Sequence, residues 1–271
     1  MHGCTIEFHD ISYRLPAGRL LLDQVTLTLN AGTTTALLGR SGSGKTTLLR
    51  MVNRMAEPTS GEILLEGRRV RDQDPVTLRR SIGYVIQETG LFPHLTVERN
   101  VSVVPELQGE SAARVAGRVA NLLEMVGLDP TQFAKRMPFE LSGGQRQRVG
   151  LARALAAEQK ILLMDEPFGA LDPLTRAEMQ DVFLGLMEQM PKTVLIVTHD
   201  LDEALYLASR IVLIEEGRIV ANLAAEDFMQ SEQQPVREYV AAVHRPQQSA
   251  QSAPAPLVNA ATTDKIAEQT A

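Results

Sequence analysis

One run of eight residues constrains this sequence more than any other: Gly39-Arg40-Ser41-Gly42-Ser43-Gly44-Lys45-Thr46, followed by Thr47. It satisfies the pattern G-x4-G-K-[ST], lying between an apolar stretch at residues 33–38 and a stretch of helical character at 45–54. Glycines at these spacings let a chain leave a strand, turn tightly and enter a helix while its backbone N–H groups point inward. Such a loop surrounds phosphate oxygens, the lysine neutralises their charge, and the hydroxyl reaches a magnesium ion. The alternative is an accidental glycine turn that happens to carry a lysine. Strand and helix flanks are both present, which argues against accident and predicts an α/β fold with this loop at a strand end.

The rest of the chain fits around that unit. Within residues 5–30, Val25, Leu27 and Leu29 alternate with Thr26 and Thr28, the period of half-buried antiparallel strands. A hairpin is expected at 62–70, turning on Glu66-Gly67, and a buried strand at 82–87. From about 95 to 157 the period becomes helical, with Val115, Val119, Leu122, Leu123 and Val126 forming one stripe that stops at Gly127. Buried strands return at 161–164 and 193–198, separated by a helix at 173–190 that opens on Pro173, and a hairpin at 211–223 closes the fold. One folded domain is expected over residues 1–244, with a helical subdomain inserted at about 95–157. No internal repeat is present. Residues 245–271, rich in Pro, Gln, Ser and Ala, have too little apolar surface to fold alone and are expected to form a flexible tail.

Composition narrows the function classes. With 271 residues and 44% apolar content the chain can bury a full core. Its 27 basic and 33 acidic residues, net −6, argue against a protein held to nucleic acid mainly by charge. The single cysteine, Cys4, rules out an intrachain disulfide and a cysteine-built metal cage. The opening MHGCTIEFHD lacks the basic start and apolar run of a secretion signal, and no window approaches about twenty apolar residues. Any membrane link is therefore expected to come through a partner.

Two further strand ends carry polar groups. Residues 161–166, ILLMDE, place Asp165 and Glu166 just past a buried strand. This is either a plain acidic turn or, beside the phosphate loop, a magnesium-holding Asp165 and a water-polarising Glu166. Residues 193–200, TVLIVTHD, end likewise at His199, which by itself reads as a hydrogen-bonded loop residue as readily as a catalytic one. His2, His9, His94 and His244 have no such context.

A third motif decides the family. Leu141-Ser142-Gly143-Gly144-Gln145 opens a helix shortly before Asp165, Gln87 lies in YVIQ, and residues 168–172 read FGALD. With the phosphate loop and His199, these resemble the ATP-binding subunits of ATP-binding cassette (ABC) transporters over residues 5–244. The resemblance implies a RecA-like phosphate-loop ATPase core with an antiparallel β subdomain and an inserted helical subdomain. It also implies that ATP and Mg²⁺ are bound, with Lys45, the loop residues 39–44 and Thr47 on phosphates, and Thr46, Gln87 and Asp165 on the metal. Glu166 becomes general base and His199 the γ-phosphate contact. Ser142, Gly143, Gly144 and Gln145 then act on the nucleotide of a second, head-to-tail copy, and Asp172 bridges the homodimer. The adenine-stacking aromatic departs from the family: its usual position falls on Leu15, and Tyr13 lies two residues earlier. Either Tyr13 reaches the base by another loop path, or an apolar contact substitutes and Tyr13 is an ordinary strand residue.

Finer wording, including RMVNRMAEPTSGEI and LFPHLTVERNV, resembles uptake systems for quaternary amines such as glycine betaine and choline. In that group a membrane permease docks near residues 87–101, a solute-binding protein delivers cargo from the far side, and the ATPase lies on the cytoplasmic face of the inner or plasma membrane. Members often carry C-terminal regulatory modules, for which these 271 residues leave no room. The alternatives are uptake of another small solute such as an amino acid, a DNA-repair ATPase, and a translation-associated cassette. Against the last two stand the missing heptad coiled coil and the missing second phosphate loop.

Overall fold

The computed structural model describes residues 3–87 and 89–244; the expected tail at 245–271 lies outside them, as do His2 and Glu88. In chain order the elements are β1 (Ile6–Arg14), β2 (Leu20–Leu29), β3 (Thr34–Leu38), α1 (Lys45–Val52), β4 (Ser60–Leu65), β5 (Arg68–Arg69), α2 (Pro75–Arg80) and β6 (Ile82–Val85). Then follow α3 (Val97–Leu107), α4 (Ala112–Met125), α5 (Pro130–Phe133), α6 (Gly143–Leu155), β7 (Ile161–Asp165), α7 (Pro173–Gln189), β8 (Thr193–Val197) and α8 (Leu201–Leu207). The described chain closes with β9 (Arg210–Glu215), β10 (Arg218–Ala224), α9 (Ala225–Phe228) and α10 (Gln234–Val243).

Two sheets form. The smaller has strand order β2-β1-β4-β5 and is antiparallel throughout, as the alternation in residues 25–29 requires. The larger runs β10-β9-β3-β8-β7-β6; five of its strands are parallel and β10 is an antiparallel edge. The parallel strands β7 and β8 are buried at every position, which is why they read as unbroken apolar runs.

Alternate residues of the parallel strands serve different cores. Leu37, Leu163, Leu195 and Val197 pack with α1 and the antiparallel sheet. Leu162, Met164, Val194 and Ile196 pack with α3, α4, α6 and α7 on the other side. A third cluster joins Ala36, Leu38, Ile211 and Leu213 to α8, α9 and α10. The helical stripe predicted at 115–126 is buried in the second of these cores, so the inserted helices share a core with the main sheet. The end of α6 packs directly on this sheet: a Cβ on Gly83 of β6 would sit 2.3 Å from the Ala154 carbonyl oxygen.

Three expectations shift. Helix α1 ends at Val52 instead of Arg54, because Arg54 turns left-handed (φ 54°) while Met55 N–H closes back on the Arg50 carbonyl at 2.9 Å. Strand β6 stops at Val85, since β7, its neighbour, pairs only as far as Met164. Helices α2, α8, α9 and α10 were not anticipated; all are short, and periodicity needs more turns than they supply.

Candidate functional site

The sheet order brings separate sequence segments to one edge. Strands β3, β8, β7 and β6 are consecutive neighbours and parallel, so their C-terminal ends present the phosphate loop, His199, Asp165-Glu166 and Gln87 side by side. This is the edge at which parallel α/β sheets bind ligands.

The phosphate loop is fixed from both ends. Gly39 (φ 146°) lies so close to β9 that a Cβ would meet the Ile214 carbonyl oxygen at 2.1 Å. Gly44 (φ 99°) stands at the N-terminus of α1, with no side-chain cap, and a Cβ there would strike Leu22 Cδ2 at 2.5 Å. The free N–H groups of α1 and its dipole therefore face the loop interior, a setting that favours an anion. Lys45 donates from Nζ to the carbonyl oxygens of Gly39 (2.7 Å) and Arg40 (2.9 Å). Burial lowers the pKa of this ammonium, and the carboxylates of Glu166 and Asp165 partly offset the shift. Ser43 Oγ is buried and has no hydrogen-bond partner among the described residues. A buried hydroxyl without a partner is costly, and here it belongs to a loop whose other donors converge. Ser41, Gly42, Gly44, Lys45, Thr46, Thr47, Leu21 and Glu166 line one cavity. Arg40 lies with Ser41, Gly42 and Ser43 on a second, whose lining also includes Arg19, Arg218, Tyr239 and the carboxylates of Glu215, Glu216 and Glu238.

Across the cleft, Thr46 Oγ1 donates to Asp165 Oδ1 at 2.8 Å, and Arg50 Nη2 lies 3.5 Å from Asp165 Oδ2. Gln87 Nε2 is 3.3 Å from Glu166 Oε2, and His199 Nδ1 is 3.4 Å from Glu166 Oε1. Glu166 thus lies between Gln87 and His199. Its backbone adopts φ 46°, uncommon for a residue other than glycine, and its N–H is held by the Val197 carbonyl at 2.9 Å. Among the described residues no cluster of three or more His, Cys, Asp or Glu side chains is arranged to hold a metal. The oxygens of Thr46, Asp165 and Gln87 suit a hard cation that brings phosphate and water as its other ligands.

The other predicted residues lie elsewhere. Ser142 caps α6 in a reciprocal box: its Oγ accepts from Gln145 N (3.2 Å), and Gln145 Oε1 accepts from Ser142 N (3.0 Å). Ser142 and Gly143 are exposed, and Ser142, Gly143, Gly144 and Gln145 line neither cavity beside the phosphate loop of their own chain. Asp172 caps α7 through Thr175 N (3.1 Å), and the bonds from Thr175 hold its carboxyl below the usual range. Tyr13 pairs with Leu22 in the small sheet, packs half-buried against the core between the sheets, and lines neither cavity.

Several residues have no motif to announce them. Buried Gln147 of α6 donates from Nε2 to the Pro167 carbonyl, tying the helix that LSGGQ opens to the turn after Glu166. Tyr239 of α10 donates to the His199 carbonyl at 3.4 Å. Arg176 of α7 and Glu203 of α8 hold the two neighbours of His199, Asp200 and Thr198. An interior glutamine beside LSGGQ was the available signal for the first; the others become visible only once α8 and α10 are folded back.

The family model described as ABC transporter matches residues 22–169, more than half of the chain. The chain belongs to the ATP-binding subunits of ABC transporters. The cassette is 48% identical to the osmoprotectant import ATP-binding protein OsmV of Salmonella typhimurium, over 81% of its own length and 56% of the relative's. It is 44% identical to the carnitine transport ATP-binding protein OpuCA of Listeria monocytogenes, over 83% of the chain and 59% of the relative. With the glycine betaine uptake system ATP-binding protein YehX of Escherichia coli the figures are 46%, 79% and 69%. The cassette therefore spans a little over half the length of the first two. Among solved structures it resembles the dimeric bacterial ABC transporter cassette MJ0796 (TM-score 0.73, 33% identity, 81% of this chain and 98% of that one). It also resembles cbiO1 from Clostridium perfringens, part of the transporter complex cbiONQ (TM-score 0.77, 27% identity, 88% and 94%).

Proposed function

We propose that this cassette is the ATP-hydrolysing subunit of an importer for osmoprotectants of the glycine betaine, choline and carnitine type. The observation that carries the ATPase reading is the placement of Glu166 between Gln87 and His199, directly across from the Lys45 loop. The solute class rests on OsmV, OpuCA and YehX, whose names specify osmoprotectant, carnitine and glycine betaine.

In this reading the N–H groups of residues 40–46 and Ser43 Oγ take the β- and γ-phosphate oxygens, and Lys45 leaves its two carbonyl acceptors to bind them. Thr46, Asp165 and Gln87 would hold Mg²⁺, which would supply positive charge against the phosphates. Glu166 Oε accepts the proton of the attacking water, and His199, from the neighbouring strand end, faces the γ-phosphate. Tyr13 or an apolar neighbour covers the adenine.

A single chain holds only part of such a site, because its own Ser142, Gly143, Gly144 and Gln145 stand apart from its phosphate loop. A second copy, packed head to tail, supplies those groups from the N-terminus of its α6, while Asp172 of each copy lies at the seam. In a post-hydrolysis state, the ATP-binding cassette MJ0796 is a dimer bound to ADP and Pi. No helix among the described residues is long and apolar enough to cross a membrane. We assign membrane attachment, at the cytoplasmic face, to permease subunits docking near residues 87–101, where exposed Phe92 shares a groove with Met55 and Leu107. The solute-binding protein then acts through the permease, and nucleic acid has no part.

The test is ATPase activity of the cassette with its co-purifying membrane subunits in vesicles, with betaines, choline, carnitine or amino acids supplied on their binding protein. Stimulation by a quaternary amine is the expected result. Stimulation by amino acids alone overturns the solute class, and the absence of any membrane partner overturns the importer.

A further inference from the structure

His199 lies in a short loop between β8 and α8, and its side chain is 65% exposed. Such a side chain holds a useful position only if the backbone on both sides is fixed. On one side, buried Thr198 is pinned by its N–H to the Leu37 carbonyl (3.2 Å) and by its Oγ1 to Glu203 Oε2 (2.7 Å). On the other, Asp200 caps α8 through Glu203 N (3.1 Å) and receives Arg176 Nη1 on Oδ2 at 3.2 Å.

Arg176 carries a second bond. Its Nη2 donates to the Leu171 carbonyl at 3.3 Å, and Leu171 immediately precedes Asp172. One planar fork therefore spans two loops that no other side-chain hydrogen bond joins among the described residues: the 168–172 segment and the loop of His199. Arg176 belongs to neither; it sits in the first turn of α7. A guanidinium gives two bonds of fixed divergence, so moving one loop moves the other, whereas an ammonium would allow either bond to be kept alone. Its Nε is buried without a hydrogen-bond partner among the described residues, so its side-chain hydrogen bonds are those of the two Nη groups.

We propose that Arg176 is a positioning residue that couples the 168–172 segment to His199, so that a partner copy seated on Asp172 sets the position of His199 in the site of the chain that carries both. The inference rests on the proposed role of His199. It makes the two half-sites of a dimer interdependent through a contact that touches neither nucleotide nor metal.

A mutant cycle on the full-length protein tests it, with Arg176→Met and Arg176→Lys each made in the native and His199→Ala backgrounds. Steady-state ATPase is read as separate kcat and KM, single-turnover hydrolysis is followed where His199 is replaced, and melting temperature serves as a folding control. Arg176→Met is expected to lower kcat about tenfold with KM within about twofold, Arg176→Lys to lie between, and either to change the His199→Ala rate less than about twofold. Equal losses in both backgrounds, or an unchanged kcat in the native one, overturn the coupling while leaving the His199 reading intact. A His199→Ala protein with native turnover overturns that reading and the coupling with it. Arg176→Lys keeps the charge and most of the aliphatic stem, so the cycle can be completed even if Arg176→Met fails to fold.

Discussion

Thr46 Oγ1 donates to Asp165 Oδ1 at 2.8 Å, joining the first turn of α1 to the end of β7. These two oxygens, 119 positions apart in sequence, are the preset part of the proposed magnesium site. With Mg²⁺ bound, Thr46 and Asp165 would hold it here, directly or through water. Thr46→Val keeps the shape and removes the oxygen, so it is expected to raise the Mg²⁺ concentration for half-maximal ATPase and to lower turnover about a hundredfold. A magnesium titration decides the matter, and an unchanged midpoint removes Thr46 from the metal.

Glu166 is expected to accept the water proton. Glu166→Gln preserves size and a hydrogen-bonding group for Gln87 and His199 but cannot take up a proton at neutral pH. ATP binding should persist, the ATP-bound protein should elute as a dimer, and turnover should fall about a thousandfold. Turnover near that of the native protein would exclude the general-base role.

The division of each site between two copies yields a mixing experiment. Ser142→Asp retains the N-cap, since aspartate caps as well as serine, yet sets a carboxylate against an incoming phosphate. Lys45→Ala disables the phosphate loop. Each variant alone is expected to be inactive. Mixed in equal amounts, about half of the dimers would pair one of each and contain one intact site, restoring about a quarter of native activity. Two inactive proteins that stay inactive when mixed would place the complete site within one chain.

Much of this site was legible because its chemistry is local. The turn through Gly39, Gly42 and Gly44, the two acids at the end of β7 and the Ser142-Gln145 box each occupy a few consecutive residues, and each needs particular residue types at fixed spacing. The parallel strands were equally visible, since burial on both faces leaves runs such as residues 161–164 wholly apolar. What was hidden depends on distance. Nothing near Arg176 in the chain reveals that it faces Asp200, 24 residues on, and nothing near Tyr239 points to His199. Helices α8 and α10 escaped notice because seven and ten residues give too few turns for a clear period, and their apolar side chains cover the strand faces at Ala36 and Leu38.

Glu203 supplies a prediction about pH. It is 5% exposed; Oε2 accepts from Thr198, and Oε1 has no partner among the described residues. Burial pushes its carboxyl up to about 7 from 4.5, helped by the charge of Asp200 and opposed by the Thr198 bond, Arg176 and His199. Between those two values the folded chain binds a proton that the unfolded chain has released, so stability falls as pH rises through that window and levels off above 7. Below about 4.5 both states are protonated and the group imposes no penalty. Glu203→Gln mimics the neutral form and keeps an acceptor for Thr198. Relative to the native protein, the variant should therefore gain stability on going from pH 5 to pH 8, by up to about 3 kcal/mol for the full shift. Denaturant melts of both proteins at the two pH values measure this difference. A constant gap between them would show that Glu203 ionises alike in the folded and unfolded chains, and that the Thr198 bond suffices to keep a buried carboxylate charged.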